Sequence, residues 1–353
     1  MERQVKELNF IGETIYVGID VHLASWKVAI ALEHSLQKVF SQEPSPENLV
    51  KHLHKHYPNG TYICVYEAGF CGFWIQESLE ELGVSCKLVN ASDVPTMDKE
   101  RCQKTDSRDC RKLARCLRDS TLEFISIPTK ENQKSRSVVR ARKRIKRDVN
   151  RVKNRITSHL HFYGIKEPHS GKRIWSKKHI AWLEEIEKEQ EDISLSLLLK
   201  ELKNLQEVEQ LALKELKKLA NAPLYKKDME LIQTVPGVGL LAGLTILLEI
   251  GDIKRFKTLD KLCSMVGLIP NTNSSGERER SGEMTNRGKS GLRTILIESA
   301  WVAIRKDTEL SLCYNKYCQR MTPTQSIVKV AKKLLNRIRR VLLKKTPYII
   351  ATA

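Results

Sequence analysis

Two short apolar runs, each ending on an acidic residue, constrain the fold of this chain more than any other feature. Residues 15–20 alternate in hydropathy as a β-strand does, and residues 62–67 are apolar on both faces, as a central strand is. Asp20 and Glu67 are the last residues of these runs. The pattern therefore predicts two strands that each present a carboxylate at the edge of a sheet.

A second pair of acids opens a predicted helix. The apolar stripe of this helix comprises Cys110, Leu113, Ala114 and Leu117. Asp106 and Asp109 extend the stripe at i, i+3 and i+4 spacing, so both are predicted to point towards the protein body. Two strand ends and one helix start can converge on a point. Four carboxylates there would repel one another and raise their pKa values unless a cation lay between them, which predicts a metal site.

Each of these acids also has an ordinary interpretation. Asp106 can be a helix N-cap with Asp109 in the first turn, where negative charge is favourable. Asp20 and Glu67 can be loop acids that follow strands. For any one acid alone we favour the ordinary interpretation. For all four together in a basic chain we favour the metal site, because acids are seldom oriented inward without partners.

The charge of the chain predicts a polyphosphate partner. The chain carries 61 Lys and Arg against 42 Asp and Glu, a formal net charge of +19. Residues 130–155 hold twelve basic residues against two acidic ones, and residues 329–345 hold no acid. Such basic stretches are typical of nucleic-acid-binding surfaces, whereas solvated helix faces normally mix both signs. The nucleic-acid contacts predicted in the first stretch are Arg140, Arg142, Lys143, Arg144 and Arg147.

Cysteine usage and the N-terminus indicate a reducing compartment. The nine cysteines form no CxxC pair, and several lie inside apolar runs, as reduced core residues do. The first residues do not form a signal peptide, and no run approaches the ~18 apolar residues of a membrane span. We therefore expect a cytoplasmic protein with no membrane partner.

Periodicity predicts an α/β domain followed by helical regions. The predicted strands are residues 16–20, 26–32, 37–40, 62–67 and 86–89, and the predicted helices are residues 46–57, 72–82 and 106–117. Antiparallel strands followed by β-α units make a mixed sheet with flanking helices. The strand signal stops after Pro128. The predicted domains are residues 1–128, 129–225 and 226–353.

Residues 138–160 and 195–219 carry apolar side chains at steps of three and four. This spacing predicts an antiparallel coiled-coil hairpin with one charged core position, Glu209. A contact between copies of the chain and an intramolecular helical linker are equally good interpretations of the hairpin.

The C-terminal region contains two polar, glycine-rich segments. Gly237 and Gly239 precede the apolar helix at residues 240–250, where backbone N–H groups could approach a phosphate, as in helix-hairpin-helix DNA binders. The polar, glycine-rich composition of residues 270–291 predicts a loop between two apolar helices. Its serine hydroxyls and cations are suited to phosphoryl transfer, with a serine oxygen that attacks and basic groups that stabilise the developing charge. These basic groups are Arg278, Arg280, Arg287 and Lys289. A Ser-Ser-Gly loop by itself favours a plain flexible linker.

The order of the motifs resembles that of the DEDD transposases of the insertion-sequence 110 type. The motifs are Gly-Ile-Asp-Val-His at 18–22, Tyr-Glu-Ala-Gly at 66–69, Lys-Thr-Asp-Ser-Arg-Asp at 104–109, Val-Pro-Gly-Val-Gly at 235–239, Gly-Leu-Ile-Pro at 267–270, Ser-Ser-Gly-Glu at 274–277 and Thr-Asn-Arg-Gly at 285–288. The resemblance covers nearly the whole chain. The second Asp-containing element combined with the later Ser-Ser-Gly element makes it specific.

The resemblance implies an N-terminal RuvC-like domain with a ribonuclease-H-type fold that binds one or two Mg²⁺ ions. The DEDD carboxylates map onto Asp20, Glu67, Asp106 and Asp109. It also implies a central coiled coil for assembly of dimers into tetramers, and a C-terminal helical transposase domain whose nucleophile maps onto Ser274. Members of the family act on donor and target DNA, guided by a structured RNA from the element itself. The implied location is the nucleoid of a prokaryotic cytoplasm.

Two departures from the family pattern stand out. Cys110 replaces the usual Ala after the second Asp-containing motif, and Thr272 stands where many relatives place Glu.

Two other classes of protein share some of these features. A RuvC-like, structure-selective DNA nuclease would use the same carboxylates with water as the nucleophile. A non-catalytic nucleic-acid-binding protein would explain the basic stretches and leave four inward acids unexplained. A covalent protein–DNA adduct is expected of the recombinase alone.

Overall fold

The computed structural model describes residues 8–35, 39–96, 105–167, 174–275, 278–285 and 287–350, and for residues 271–275 and 278–283 it describes the backbone. The chain forms two units, Met1–Ile127 and Pro128–Ala353. The predicted regions 129–225 and 226–353 both lie in the second unit, and their separation into domains stays a prediction.

The first unit is built on a five-stranded mixed sheet. Its strands are β1 (Thr14–Val21), β2 (Trp26–Ala31), β3 (Phe40–Gln42), β4 (Thr61–Glu67) and β5 (Ser85–Val89), in the order β3-β2-β1-β4-β5. The pairs β1–β2 and β2–β3 are antiparallel, and the pairs β1–β4 and β4–β5 are parallel. The predicted mixed sheet is therefore confirmed. The third strand begins at Phe40, where the predicted one ends, and residues 36–38 lie outside the described ranges.

Helices cover both faces of this sheet. They are α1 (Pro46–His56), α2 (Trp74–Glu81) and α3 (Asp106–Arg118). Ile15, Val17 and Ile19 of β1 share one core with apolar residues of α1 and α2. Residues of the opposite face of the sheet, such as Val65 and Ala29, pack against α3 instead. Because side chains alternate along a strand, Gly18 and Asp20 face α3.

Gly18 allows α3 to lie directly on the sheet. A Cβ atom at this position would lie 2.2 Å from the carbonyl oxygen of Cys110 and 2.5 Å from the backbone nitrogen of Ala114. Cys110 and Ala114 are themselves fully buried against Ala29 and its neighbours in β2. The missing side chain thus sets the distance between β1 and α3, and with it the height of the first turn of the helix above the end of the strand.

The second unit begins with a long helical hairpin. Its helices are α4 (Lys130–Phe162), α5 (Lys177–Glu189) and α6 (Ile193–Asn221). Arg155 pairs with Glu201, and Arg142 pairs with Glu209, so α4 and α6 run antiparallel. The predicted hairpin is confirmed and forms within one chain; a contact between copies stays a prediction. The charged core position, Glu209, is buried and lies 3.2 Å from Arg142.

A helical core completes the second unit. Its helices are α7 (Pro223–Ile232), α8 (Leu240–Ile250), α9 (Leu259–Val266), α10 (Ser290–Ala303), α11 (Thr308–Cys318) and α12 (Pro323–Lys344). Val330, Leu334 and Ile338 form a fully buried stripe along α12 and are part of the core that these helices share. Within the described ranges, the chain has no helix whose length and hydropathy would let it span a bilayer.

The prediction that strands stop after Pro128 was wrong. Residues predicted to form a loop pair as an antiparallel hairpin of β6 (Pro270–Ser275) and β7 (Arg278–Met284). This segment has no apolar alternation, which is the signal by which strands are recognised in a sequence. A two-stranded ribbon is held by backbone hydrogen bonds and cross-strand pairs, so it forms here with polar residues on both faces.

Candidate active site

The carboxyl ends of two parallel strands bring two of the predicted acids side by side. Ile19 of β1 lies opposite Tyr66 of β4, so the next residues, Asp20 and Glu67, are neighbours across the sheet. Ile19 and Tyr66 belong to the core under α1 and α2. Asp20 and Glu67 therefore lie on the other face, the one that α3 covers. In open α/β sheets, ligands bind outside the carboxyl ends of the strands.

The start of α3 adds a third acid to this edge. Thr105 is the N-cap residue, so Asp106 is the first residue of the helix. An imidazole lies between the two aspartates: His22 Nε2 lies within hydrogen-bond distance of Asp20 Oδ2, at 3.1 Å, and 3.7 Å from Asp106 Oδ2. One potential ligand atom from each of Asp20, His22 and Asp106 lies within 4.8 Å of the others. The structure thus brings Asp20 and Asp106 together.

The orientation predicted for Asp106 was wrong, and that of Asp109 was right. The side chain of Asp106 is 58% exposed, whereas that of Asp109 is 19% exposed. The reason is the position of Asp106 in the helix. It lies one turn before Cys110, which is the first helix residue that the sheet buries completely. Asp109 accepts a hydrogen bond from Lys112 Nζ at 3.2 Å, and the side chain of Lys112 is buried.

The electrostatics at Asp20 fit a bound cation. Burial raises the pKa of Asp20, the hydrogen bond and charge of His22 lower it, and the nearby charges of Asp106 and Asp109 raise it again, so that the net shift is upward. A divalent cation between these carboxylates would remove the repulsion. Carboxylate oxygens are the ligands that Mg²⁺ and Mn²⁺ prefer, so the residues present fit such an ion.

Sequence reasoning gave His22 no role. The usable signal was its spacing: on an extended strand, residues two apart point to the same side, so Asp20 and the residue two positions later face one site. The strand ends at Val21, immediately before His22. This spacing indicates a site only together with the structure, which places Asp106, the first residue of α3, on the other side of His22.

The predicted nucleophile, Ser274, lies near the tip of the β6–β7 hairpin. Its backbone is opposite Glu279, and Ser275, the last residue of β6, is opposite Arg278. The hydroxyl of Ser274 and the side chains of Arg278 and Arg280 lie outside the described part of the chain. The same holds for the motif residues Lys104, Gly276 and Asn286. Their chemical roles stay predictions.

The two glycines predicted to approach a phosphate differ in their surroundings. Gly237 has a left-handed φ of +84°, and a Cβ there would lie 2.1 Å from the carbonyl oxygen of Ser299 in α10. Gly237 therefore allows a tight turn to pack against α10. Gly239 is the N-cap residue of α8, and a Cβ there would have no heavy atom within 4 Å. The approach of a phosphate to either glycine stays a prediction.

Two of the predicted nucleic-acid contacts are held by one acid. Glu249 accepts hydrogen bonds from Arg140 Nε at 2.8 Å and from Lys289 Nζ at 2.7 Å. Burial raises the pKa of Glu249, but the hydrogen bonds and charges of these two cations outweigh burial and lower the pKa to about 2. The Arg140–Glu249–Lys289 cluster therefore links α4, α8 and the residue before α10.

This ion cluster predicts a loss of stability in acid. The pKa of Glu249 is about 2 in the folded chain against an ordinary 4.5, so its contribution is complete above pH 4.5 and is lost as the pH falls towards 2. We expect the free energy of unfolding of Glu249→Gln to be lower at neutral pH and to fall less over this range. Urea unfolding at several pH values measures both. An unchanged acid dependence in the variant would contradict the assignment.

The other cations of α4 divide into paired and exposed groups. Arg142 is held by Glu209, and Lys143 reaches the start of α10, where a Cβ on Gly291 would lie 2.3 Å from Nζ. Arg144 and Arg147 are exposed and make no ion pair within the described residues. The exposed pair thus remains available to a polyphosphate partner.

Intramolecular contacts also use four of the eight cations in the second basic run, which lies on α12 and its C-cap residue Lys345. The pairs are Lys332 with Asp260, Arg337 with Asp307 and Glu309, Lys345 with Asp228, and Arg339 with the carbonyl oxygens of Phe256 and Lys257. Asp307 is buried and also accepts a hydrogen bond from the hydroxyl of Tyr348 at 2.8 Å. The run therefore stabilises the second unit. Its exposed members are Lys329, Lys333, Arg340, Lys344 and Lys345.

The fold and the candidate site together define the class of protein to which this chain belongs. A five-stranded sheet of the order β3-β2-β1-β4-β5 with acids at the ends of β1 and β4 is a ribonuclease-H-like domain, and a helical region follows it. A DEDD transposase model of the IS110 type matches residues 17–165, and the model described as Transposase IS116/IS110/IS902 family matches residues 229–315. The chain carries both domains and belongs to the IS110 family of transposases, enzymes of insertion elements that act on DNA.

Relatives with transposase names cover most of the chain. A Sinorhizobium fredii protein named as a transposase, y4qE, is 28% identical over 81% of this chain and 71% of its own length. The transposase for insertion sequence element IS1111A of Coxiella burnetii is 27% identical over 71% of this chain and 70% of its own. A family 20 transposase of Pseudomonas aeruginosa is 23% identical over 79% and 82%.

Proposed function

We propose that this transposase cleaves and rejoins DNA through a metal-dependent serine mechanism. In this proposal Asp20, Glu67, Asp106 and Asp109 hold one or two Mg²⁺ ions, and Ser274 is the nucleophile. The observation that supports it most is the approach of Asp20 and Asp106 at the carboxyl edge of the sheet, with the pKa of Asp20 raised by burial and by the neighbouring acids.

The residues of the chain have distinct tasks in this proposal. A bound divalent cation would supply a Lewis acid that offsets charge on a phosphoryl oxygen. Asp20 and Glu67 extend from rigid strand ends, which limits their movement. Lys112 orients Asp109 through its hydrogen bond at 3.2 Å. Asp106 is exposed, so DNA can reach it from solvent.

The covalent step conserves the energy of the phosphodiester. The Ser274 oxygen forms a bond to phosphorus as the bond from phosphorus to a deoxyribose oxygen breaks. The serine loses its proton, and the leaving deoxyribose oxygen takes one up. A hydroxyl of another strand reverses the step, so rejoining requires no ATP.

A trapped complex tests the nucleophile. We expect a covalent adduct between protein and a suicide DNA substrate, and peptide mass spectrometry should place it on Ser274. Ser274→Ala should abolish the adduct, and Ser275→Ala is the matched control that should retain it. An adduct on Ser275 would overturn the assignment. Cleavage with no adduct would favour the alternative, a RuvC-like nuclease that uses water.

We also infer a structured guide RNA from the element as a partner. The exposed cations of α4 suit contacts to phosphates, which position a nucleic acid without identifying its sequence. Base pairing by an RNA would supply the missing specificity, with the protein recognising phosphates and shape. Sequencing of RNA that co-purifies from cells with the complete element tests this. Random cellular RNA, or recombination that survives RNase during assembly, would exclude the guide.

The exposed and the paired cations of α4 are expected to differ in effect. Neutralising Arg144 and Arg147 together should weaken nucleic-acid binding and reduce the slope of log affinity against log salt by about 1 to 2. Arg142→Gln should act mainly on stability, because it leaves the buried Glu209 without its closest partner. Filter binding across a salt series, with thermal unfolding of each variant, separates the two effects. Equal salt slopes in all variants would contradict this division.

The proposed assembly is a dimer that forms a tetramer. Within the hairpin, one face of α6 keeps apolar side chains in solvent: Leu197 is 65% exposed and Leu211 is 61% exposed. A second copy of the chain could cover this face, as coiled-coil partners do. Sedimentation of the wild type and of a Leu197→Gln, Leu211→Gln variant tests the proposal; identical masses would contradict it.

A further inference from the structure

We propose that His22 is a ligand of the metal ion and gives the site a preference for transition metals over Mg²⁺. This inference rests on the proposed metal-dependent function and adds a nitrogen ligand to it. The four carboxylates alone would make an all-oxygen site, which suits Mg²⁺. A neutral imidazole changes that donor set.

The distances around His22 suit a coordination sphere. With bonds of about 2.1 Å in an octahedral site, adjacent ligand atoms lie about 3.0 Å apart and opposite ones about 4.2 Å apart. His22 Nε2 lies 3.1 Å from Asp20 Oδ2 and 3.7 Å from Asp106 Oδ2. All three ligand atoms lie within 4.8 Å of one another. Small side-chain movements would therefore place one cation in contact with all three.

The surroundings of His22 do not give it a packing role. Its side chain is 49% exposed and belongs to no hydrophobic cluster of the described residues. Its contacts at the site are to carboxylates, Asp20 and Asp106. Lys27 lies opposite Asp20 on the neighbouring strand, but its Nζ donates to Ser41 Oγ at 2.6 Å. Among the described residues, the imidazole of His22 is the nitrogen group that approaches Asp20.

Ligand chemistry sets the consequence. Affinity for a given site rises along the series from Mn²⁺ through Fe²⁺ to Co²⁺, and imidazole binds these ions better than it binds Mg²⁺. Carboxylates still accept Mn²⁺ readily, so a site of three or four carboxylates and one imidazole should take Mn²⁺ more tightly than Mg²⁺. Replacing His22 should reduce this difference and leave an ordinary carboxylate site.

Pulsed electron paramagnetic resonance of bound Mn²⁺ tests the inference on the full-length protein without any activity assay. We expect a hyperfine coupling to ¹⁴N in the wild type, a change to the ¹⁵N pattern when histidine is labelled with ¹⁵N, and loss of the coupling in His22→Asn. The dissociation constant for Mn²⁺ should rise about tenfold in that variant, and that for Mg²⁺ by less than about twofold. His54→Asn is the matched control, because His54 is an exposed histidine on α1 of the same unit.

The outcomes separate this inference from the proposed function. Bound Mn²⁺ without nitrogen coupling, or with the same coupling in His22→Asn, would overturn the role of His22 and leave the carboxylate site intact. Failure of the wild type to bind Mn²⁺ or Mg²⁺ would overturn the metal site itself. Thermal unfolding checks that His22→Asn is folded, and His22→Gln replaces it if it is not.

Discussion

Replacing Asp106 with Asn is expected to abolish DNA strand cleavage and leave the fold intact. The change removes the charge of one proposed metal ligand and keeps the shape of the side chain. Because Asp106 is 58% exposed and lies outside the hydrophobic clusters, little packing energy is at stake. Loss of several kcal/mol of transition-state stabilisation corresponds to a rate at least about 10³-fold lower. Gel analysis of a labelled element end, with a thermal unfolding curve, measures both parts of the prediction.

The same helix provides a matched control. Asp119 caps the other end of α3 and pairs with Arg118, away from the carboxyl edge of the sheet. Asp119→Asn should therefore cleave DNA like the wild type. Wild-type protein in EDTA should be as inactive as Asp106→Asn. Full cleavage by Asp106→Asn, or by the wild type in EDTA, would contradict the metal site.

Replacing Gly18 with Ala is expected to cause the largest loss of stability of any single methyl group added to the first unit. The new Cβ would lie 2.2 Å from the oxygen of Cys110 and 2.5 Å from the nitrogen of Ala114, and both are backbone atoms. Backbone atoms inside a helix cannot rotate away as a side chain does, so α3 must move off the sheet. Overpacking of this kind costs about 3 kcal/mol of unfolding free energy.

The displacement should also affect catalysis, because α3 carries Asp106 and Asp109, two of the proposed metal ligands. We expect Gly18→Ala to lose cleavage activity even at temperatures where it stays folded. Gly69→Ala is the control: a Cβ there would lie 3.9 Å from the carbonyl oxygen of Glu67, which is an ordinary contact. Urea unfolding of both variants measures the difference. Equal stability of the two would show that α3 adapts to the methyl group.

Much of the first unit was predictable, because its signals are local. The apolar runs that end at Asp20 and Glu67 are the strands β1 and β4, and the predicted helix at residue 106 begins there. Alternation in strands and the 3.6-residue helix repeat act over a few residues, so they can be read without knowledge of tertiary contacts. The same holds for the long helices α4 and α6, whose apolar steps extend over many turns.

The parts that could not be predicted depend on partners far away in the chain. The β6–β7 ribbon forms by backbone pairing, and the sequence of this segment has no apolar alternation that would predict a strand. The pairing of Arg140 with Glu249, 109 residues later, could not be predicted from local sequence; its contact with nucleic acid stays a prediction. The close approach of Ser299 to Gly237 likewise joins residues that are distant in the sequence.

For the candidate site, the sequence by itself determined which acids stand at strand ends and at a helix start. Only the tertiary structure decided which of them meet: Asp20 and Asp106 approach each other, Asp109 turns to Lys112, and His22 enters between the two aspartates. The physical reason is that local periodicity sets the direction of a side chain along its own element. The distance between elements is set by packing, here by the close contact of α3 with Gly18.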